Sequence, residues 1–178
     1  MKMKKIICFA LLFSLPFGEG WGGVYAQNLV PNPSFEDTIH CPISPNGTYA
    51  LNPFSVAQWI NPCNTSPDYY NACAPRRIGA NHNVPNNRPW AGWQYAHIGN
   101  AYVGIGIYSN GENFHEYIQA QLTSSLSINH KYCIEFYVNF CNDMNCPSNN
   151  IGLYLSDMPP IPNSLLYENF FWFTTSNQ

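Results

Sequence analysis

A side-chain period of two in the second half of the chain limits what it can fold into more than any other feature. From Ala101 to Tyr108, the residues Ala101, Val103, Ile105 and Ile107 alternate with Tyr102, Gly104, Gly106 and Tyr108. Ile118, Ala120 and Leu122 alternate with Gln119, Gln121 and Thr123. Between His130 and Cys141, the set Tyr132, Ile134, Phe136, Val138 and Phe140 alternates with Cys133, Glu135, Tyr137, Asn139 and Cys141, and Ile151, Leu153 and Leu155 repeat the pattern. Successive side chains of a strand point to opposite faces, so these stretches predict strands with one buried face. Asn110-Gly111 and Asn129-His130 fall between them as turn signals, which predicts antiparallel neighbours. No segment sustains a helical period. Two such sheets bury their apolar faces against each other, and the expected fold is all-β, an antiparallel β-sandwich. The stretch from Asn28 to about Asn100 is rich in Pro, Asn and Gly with short apolar runs, the composition of turns and long loops joining brief strands.

The chain opens with Lys2, Lys4 and Lys5, then an apolar run from Ile6 to Phe17, then small and turn-forming residues ending in Val24-Tyr25-Ala26. A basic segment, a short apolar core and a small-residue site in that order predict a secretory signal peptide over 1–26, cleaved after Ala26. The apolar core is 12 residues, short of the roughly 20 that span a bilayer as a helix. An uncleaved anchor is the competing reading, and a lipoprotein is disfavoured because Cys8 lies too early and lacks the usual small residue before it. The remaining 152 residues, 27–178, match one domain with a real core. No later segment is long and apolar enough to enter a membrane.

In that mature part the basic residues are Arg76, Arg77, Arg88 and Lys131, against nine acidic ones, for a formal charge of −5. Phosphate binding needs clustered Lys and Arg, so nucleic acid is not an expected partner. Loss of Cys8 leaves Cys41, Cys63, Cys73, Cys133, Cys141 and Cys146. An even number in an exported chain predicts disulfides, with 15 pairings open. Cys141 and Cys146 flank the turn-like Asn142-Asp143-Met144-Asn145 and are able to close it. A zinc site is the rival use of these thiols, but no pair has the C-x2-C spacing that usually supplies one.

The mature start, Asn28-Leu29-Val30-Pro31-Asn32-Pro33-Ser34-Phe35-Glu36-Asp37, resembles the opening strand of galactose-binding-like jelly-roll modules. Further stretches extend the likeness: Ser66-Pro67-Asp68-Tyr69-Tyr70-Asn71-Ala72-Cys73, Val84-Pro85-Asn86-Asn87, Gly99-Asn100-Ala101-Tyr102-Val103-Gly104, Glu116-Tyr117-Ile118-Gln119, Tyr132 to Val138, and Asn150-Ile151-Gly152 with Ser156-Asp157. Together they are similar to the N-terminal module of uncharacterised exported proteins from gliding-type bacteria. There it often precedes an OmpA-like peptidoglycan-binding domain or a type IX secretion sorting tail. The resemblance implies a jelly-roll sandwich without implying a chemistry. Modules of that family continue with further strands, including a Trp-containing one, whereas this sequence stops at Gln178 after Phe170-Phe171-Trp172-Phe173. The expectation is a sandwich lacking its last strands.

The resemblance also implies that Glu36 helps hold a structural calcium, as the corresponding carboxylate does in many jelly-roll binding modules. A hard cation needs several oxygens, and the usual second carboxylate comes from a final strand not present here. The alternative is that Glu36 and Asp37 cap a surface turn. Tyr69, Tyr70, Trp90, Trp93 and Tyr95 lie in Pro- and Asn-rich sequence beside Asn71, Asn86 and Asn87. Flat rings next to amides suit sugar recognition, because pyranose faces stack on rings while hydroxyls pair with amides. Tyr69, Tyr70, Trp90, Trp93, Tyr95, Asn86 and Asn87 are therefore the candidate ligand-binding residues. The competing reading is that these rings plug the ends of the sandwich.

Catalysis finds little support. His40, His82, His97, His115 and His130 are scattered, with no H-E-x-x-H, G-x-S-x-G or P-loop pattern, and Gly104-Ile105-Gly106 lacks a third glycine and a following helix. The expectation is an exported, noncatalytic module of the cell envelope or the medium that recognises glycan, peptidoglycan included. The alternatives are a structural or adhesive envelope protein that binds another protein, and a polysaccharide hydrolase with two carboxylates meeting in space.

Overall fold

The computed structural model of the chain describes residues 27–42, 55–62, 65–75, 82–87, 92–107, 115–143 and 151–157. The expected signal peptide and the candidates Cys63, Trp90 and Cys146 lie outside the described residues. The described part has no helix, and its strands pair antiparallel: it is all-β in character. The strands are β1 (Trp59–Ile60), β2 (Asp68–Asn71), β3 (Asn86–Asn87), β4 (Gly92–Trp93), β5 (Ala101–Gly104) and β6 (Gln119–Ala120). They form three two-stranded ladders, β1 with β6, β2 with β5 and β3 with β4, and an isolated bridge joins Thr38 to Val56.

The β2–β5 ladder is the centre of the described part, and its register explains why both of its faces are packed. Tyr69 pairs with Val103 and Asn71 with Ala101, so these four side chains share one face; Asp68, Tyr70, Tyr102 and Gly104 share the other. On the first face Tyr69 and Ala101 pack with Val56, and Phe35, Trp59 and Val103 close around them. On the second, Tyr70 and Val84 pack with Ala72, Tyr102 and Cys141. Tyr70 and Tyr102, directly opposite in register, stack with centroids 4.9 Å apart. Such a pair contributes about 0.5–1.5 kcal/mol beyond its burial.

A glutamate carboxylate holds each end of this ladder. At the start of β5, Glu36 Oε1 accepts the backbone N–H groups of Asn100 (2.6 Å) and Ala101 (2.8 Å). Gly99 makes that approach possible: its φ is +75°, and a Cβ there would collide with the Glu36 carboxylate. At the other end, buried Glu116 accepts from Ser66 N (2.9 Å) and Ser66 Oγ (3.1 Å) through Oε1 and from Gly106 N (2.6 Å) through Oε2. Ser66 lies just before β2 and Gly106 just after β5, so this carboxylate bridges the two chains where their ladder stops.

The Asn32-Pro33-Ser34-Phe35-Glu36-Asp37 segment is tied down by its own side chains. The Asn32 amide donates to Asp37 O and Ala57 O and accepts from Asp37 N, each at 3.0 Å. The indole of Trp59 donates to Asn32 O (3.0 Å), and the Tyr69 hydroxyl donates to Phe35 O (2.9 Å). The ring of Phe35 packs on Trp59 with centroids 4.9 Å apart. Asn32 (φ +42°) and Phe35 (φ +60°) both take left-handed backbone, which Asn tolerates and Phe ordinarily avoids. The surrounding contacts hold them there.

Cys41 and Cys73 form a disulfide with a Cα–Cα distance of 5.7 Å across a sequence separation of 32. It fastens the N-terminal segment to the residue two beyond β2. Cys133 and Cys141 carry free thiols. Closing a loop of this length restricts the unfolded chain, and the double substitution of Cys41 and Cys73 by serine is expected to cost about 3 kcal/mol. Urea unfolding of the two oxidised proteins measures it; equal midpoints would show that the bond adds nothing.

Cys133 and Cys141 do not form the disulfides expected of them. Among the described residues, Tyr132–Phe140, the stretch with the longest alternation, joins none of the three ladders and holds a single bridge position at Tyr137, and Ile151–Leu155 joins none either. Tyr132, Ile134, Tyr137 and Phe140 are exposed. Alternation sorts side chains onto faces, but a strand also needs a neighbour for its backbone groups. Tyr137 and Asn139 contact His97 and Gln94 through their side chains.

Candidate functional site

The candidate ligand-binding residues divide into an interior set and an exterior set. Tyr69 and Tyr70 are 2% and 4% exposed and Asn87 is 0% exposed, so none of them faces solvent. Tyr69 bridges Phe35 O and the Asn71 amide, which donates to its hydroxyl at 2.6 Å. Tyr70 lies between His82 and Tyr102, stacked on both, and its hydroxyl donates to Asp68 Oδ2 at 3.3 Å. Asn87 donates to the Tyr102 hydroxyl. Burial pushes the phenols of Tyr69, Tyr70 and Tyr102 up from their ordinary range, and the charge of Asp68 adds to the effect at Tyr70. These three candidates are core and network residues.

Trp93, Tyr95 and Asn86 form the exterior set. The β3–β4 register sets Asn86 directly opposite Trp93, which puts both side chains on one face of the hairpin, and both are exposed. Gln94 N donates to Pro85 O at 2.8 Å and extends the pairing by one residue. Trp93 is 46% exposed and Tyr95 65%, and their rings meet edge to face with centroids 6.4 Å apart and planes at 75°. Apolar surface on this scale, left in water beside amides, is what a ligand-binding surface offers.

The backbone beneath these rings is pinned by the segment from 137 to 143. The Asn142 amide donates to Trp93 O at 2.6 Å, the Asn139 amide to Gln94 Oε1, and the Gln94 amide to Tyr95 O at 2.7 Å. Gly92, at φ +85°, allows the close approach: a Cβ there would stand 3.0 Å from both Asn142 Cβ and Asp143 Cγ. Next along the chain, His97 stacks on Tyr137 with centroids 3.5 Å apart and planes at 14°. Asn139, Asn142 and the His97–Tyr137 pair are not marked as site residues by the sequence, since their partners lie 40 to 49 residues away. Their only local signal is the polar position that Tyr137 and Asn139 occupy in the alternation.

Two other chemistries fare differently. The Glu36 carboxylate oxygen that is engaged faces backbone N–H groups, whose positive ends oppose a cation, and no three His, Cys, Asp or Glu side chains converge among the described residues. Burial, with the charges of Asp68 and Asp143 behind it, pushes the Cys141 thiol up, which keeps it protonated and a poor nucleophile. No helix of the described residues is long and apolar enough to cross a membrane. Comparison with known proteins gives no relative: no family model, curated protein or solved structure matches this chain.

Proposed function

We propose that this chain is an exported, noncatalytic binding module of the bacterial cell envelope, built as a jelly-roll β-sandwich, that recognises glycan through Trp93, Tyr95 and Asn86. The observation that carries the reading is the solvent-facing Trp93–Tyr95 pair, braced from below and flanked by an amide opposite Trp93. Pyranose rings present C–H faces that stack on aromatic carbon and hydroxyls that pair with amides. The disulfide between Cys41 and Cys73 and the basic-then-apolar N-terminus support export.

Retention of the purified protein on a glycan array and on insoluble polysaccharides, peptidoglycan among them, tests the reading. Trp93→Ala is expected to weaken retention roughly tenfold, from loss of the larger stacking surface. Retention unchanged in both Trp93→Ala and Tyr95→Ala would favour a protein-binding envelope module instead. Release of reducing ends from a polysaccharide would establish a hydrolase.

A further inference from the structure

Resting on the glycan reading of the same site, we infer that Trp93 and Tyr95 recognise a single sugar unit, at a chain end or a branch, and not a run of units along a flat polymer. The ring planes stand at 75° to one another. A flat polysaccharide surface presents its sugar faces in one plane, and only near-coplanar rings can stack on several of them together. Rings set at this angle form a corner. A pyranose lying on one ring meets the other at its flank, so one unit touches both.

Two further features agree. The row of exposed side chains at positions 93, 95 and 97 does not continue as an open aromatic strip, because His97 stacks in near-parallel contact with Tyr137 and each covers a face of the other. The backbone that carries the two rings is also held. Asn142 fixes the carbonyl of Trp93, Gln94 fixes the carbonyl of Tyr95, and Asn139 fixes the Gln94 side chain. A backbone already fixed beneath the rings leaves only side-chain freedom to be lost when the sugar arrives. Asn86, on the Trp93 side of the hairpin, is placed to meet the hydroxyls of that unit.

The test uses the full exported chain and the sugar type best retained on the array. Free homo-oligosaccharides of that sugar, from monomer to hexamer, compete for retention, and insoluble chitin and cellulose serve as flat-surface probes. The expected result is that the monomer competes within roughly threefold of the hexamer, and that Trp93→Ala and Tyr95→Ala each weaken monomer competition roughly three- to tenfold. Steady tightening with each added unit would overturn the corner while leaving glycan binding intact, as would retention on a flat polymer that no monomer displaces. Monomer competition insensitive to Tyr95→Ala would also overturn it. Absence of retention on every glycan and polymer would remove the glycan reading itself, and the inference with it. Circular dichroism and unfolding midpoints matching the parent protein confirm that the substituted chains fold.

Discussion

Asn32→Asp is expected to destabilise the protein by about 4 kcal/mol, the largest effect of any single substitution considered. The side chain is 8% exposed, and its amide nitrogen donates to Asp37 O and Ala57 O. A carboxylate of the same shape turns a negative oxygen toward both carbonyls and loses two hydrogen bonds, with Asp37 adjacent in the same turn. The oxygen that accepts from Asp37 N survives, so the loss is confined to the donor side. Asn32→Gly separates side chain from backbone: glycine tolerates the φ of +42° and removes all three side-chain bonds without adding a charge. Its expected cost is smaller, about 2–3 kcal/mol. Urea unfolding followed by tryptophan fluorescence reads both, and an aspartate variant no less stable than the glycine variant would refute the donor assignment.

Glu116→Ala is the second large effect. Its carboxylate accepts two backbone N–H groups and one hydroxyl between Ser66 and Gly106, and alanine removes all three bonds and the buried link between the two strand ends. The expected loss is about 2–3 kcal/mol, because three hydrogen bonds to a single carboxylate are lost together and bonds to a charged acceptor exceed neutral ones. The same residue sets a pH dependence. Burial raises its pKa above the ordinary glutamate value, outweighing the hydrogen bonds from Gly106 and Ser66 that pull it down. The folded state therefore holds the proton more tightly than the unfolded chain does. The stability linked to that proton is fully present below the ordinary glutamate pKa and is lost as pH rises through the raised folded value. Unfolding midpoints at a series of pH values from mildly acidic to neutral should show this decline in the parent protein and not in Glu116→Gln. An identical decline in both would place its origin elsewhere.

How much of this was legible in the sequence depended on whether a residue's partners were near it in the chain. The alternation from Ala101 led directly to β5, and Ile118–Thr123 contains β6. Tyr69 and Tyr70 were read as loop aromatics because strand β2 has no period in hydrophobicity: one ring goes to each face, and both faces are covered. Asn87 was read as a surface amide, yet it is buried because Tyr102, 15 residues away, takes its hydrogen bond. The long alternation from Tyr132 to Phe140 indicates a strand, and among the described residues it joins none of the three ladders and holds one bridge position, at Tyr137. The aromatics at Trp93 and Tyr95 were recognisable by composition. Their outward direction comes from a short hairpin whose backbone is tied down through the amides of Asn139 and Asn142, which no local signal announces. The Asn32-to-Asp37 segment carries several fastening points of the described part, through partners as distant in sequence as Ala57, Tyr69 and Asn100.

The central claim is that the exposed Trp93–Tyr95 corner is where glycan is bound, and an amide-resolved NMR titration with the best-retained sugar tests it most directly. The account predicts that the Trp93 indole N–H and the signals of Asn86 and Tyr95 shift progressively, while the interior signals of Tyr69, Tyr70 and Asn87 stay in place. Shifts centred on Ile128 to Ile134 instead, or no shift with any glycan at saturating concentration, would contradict it.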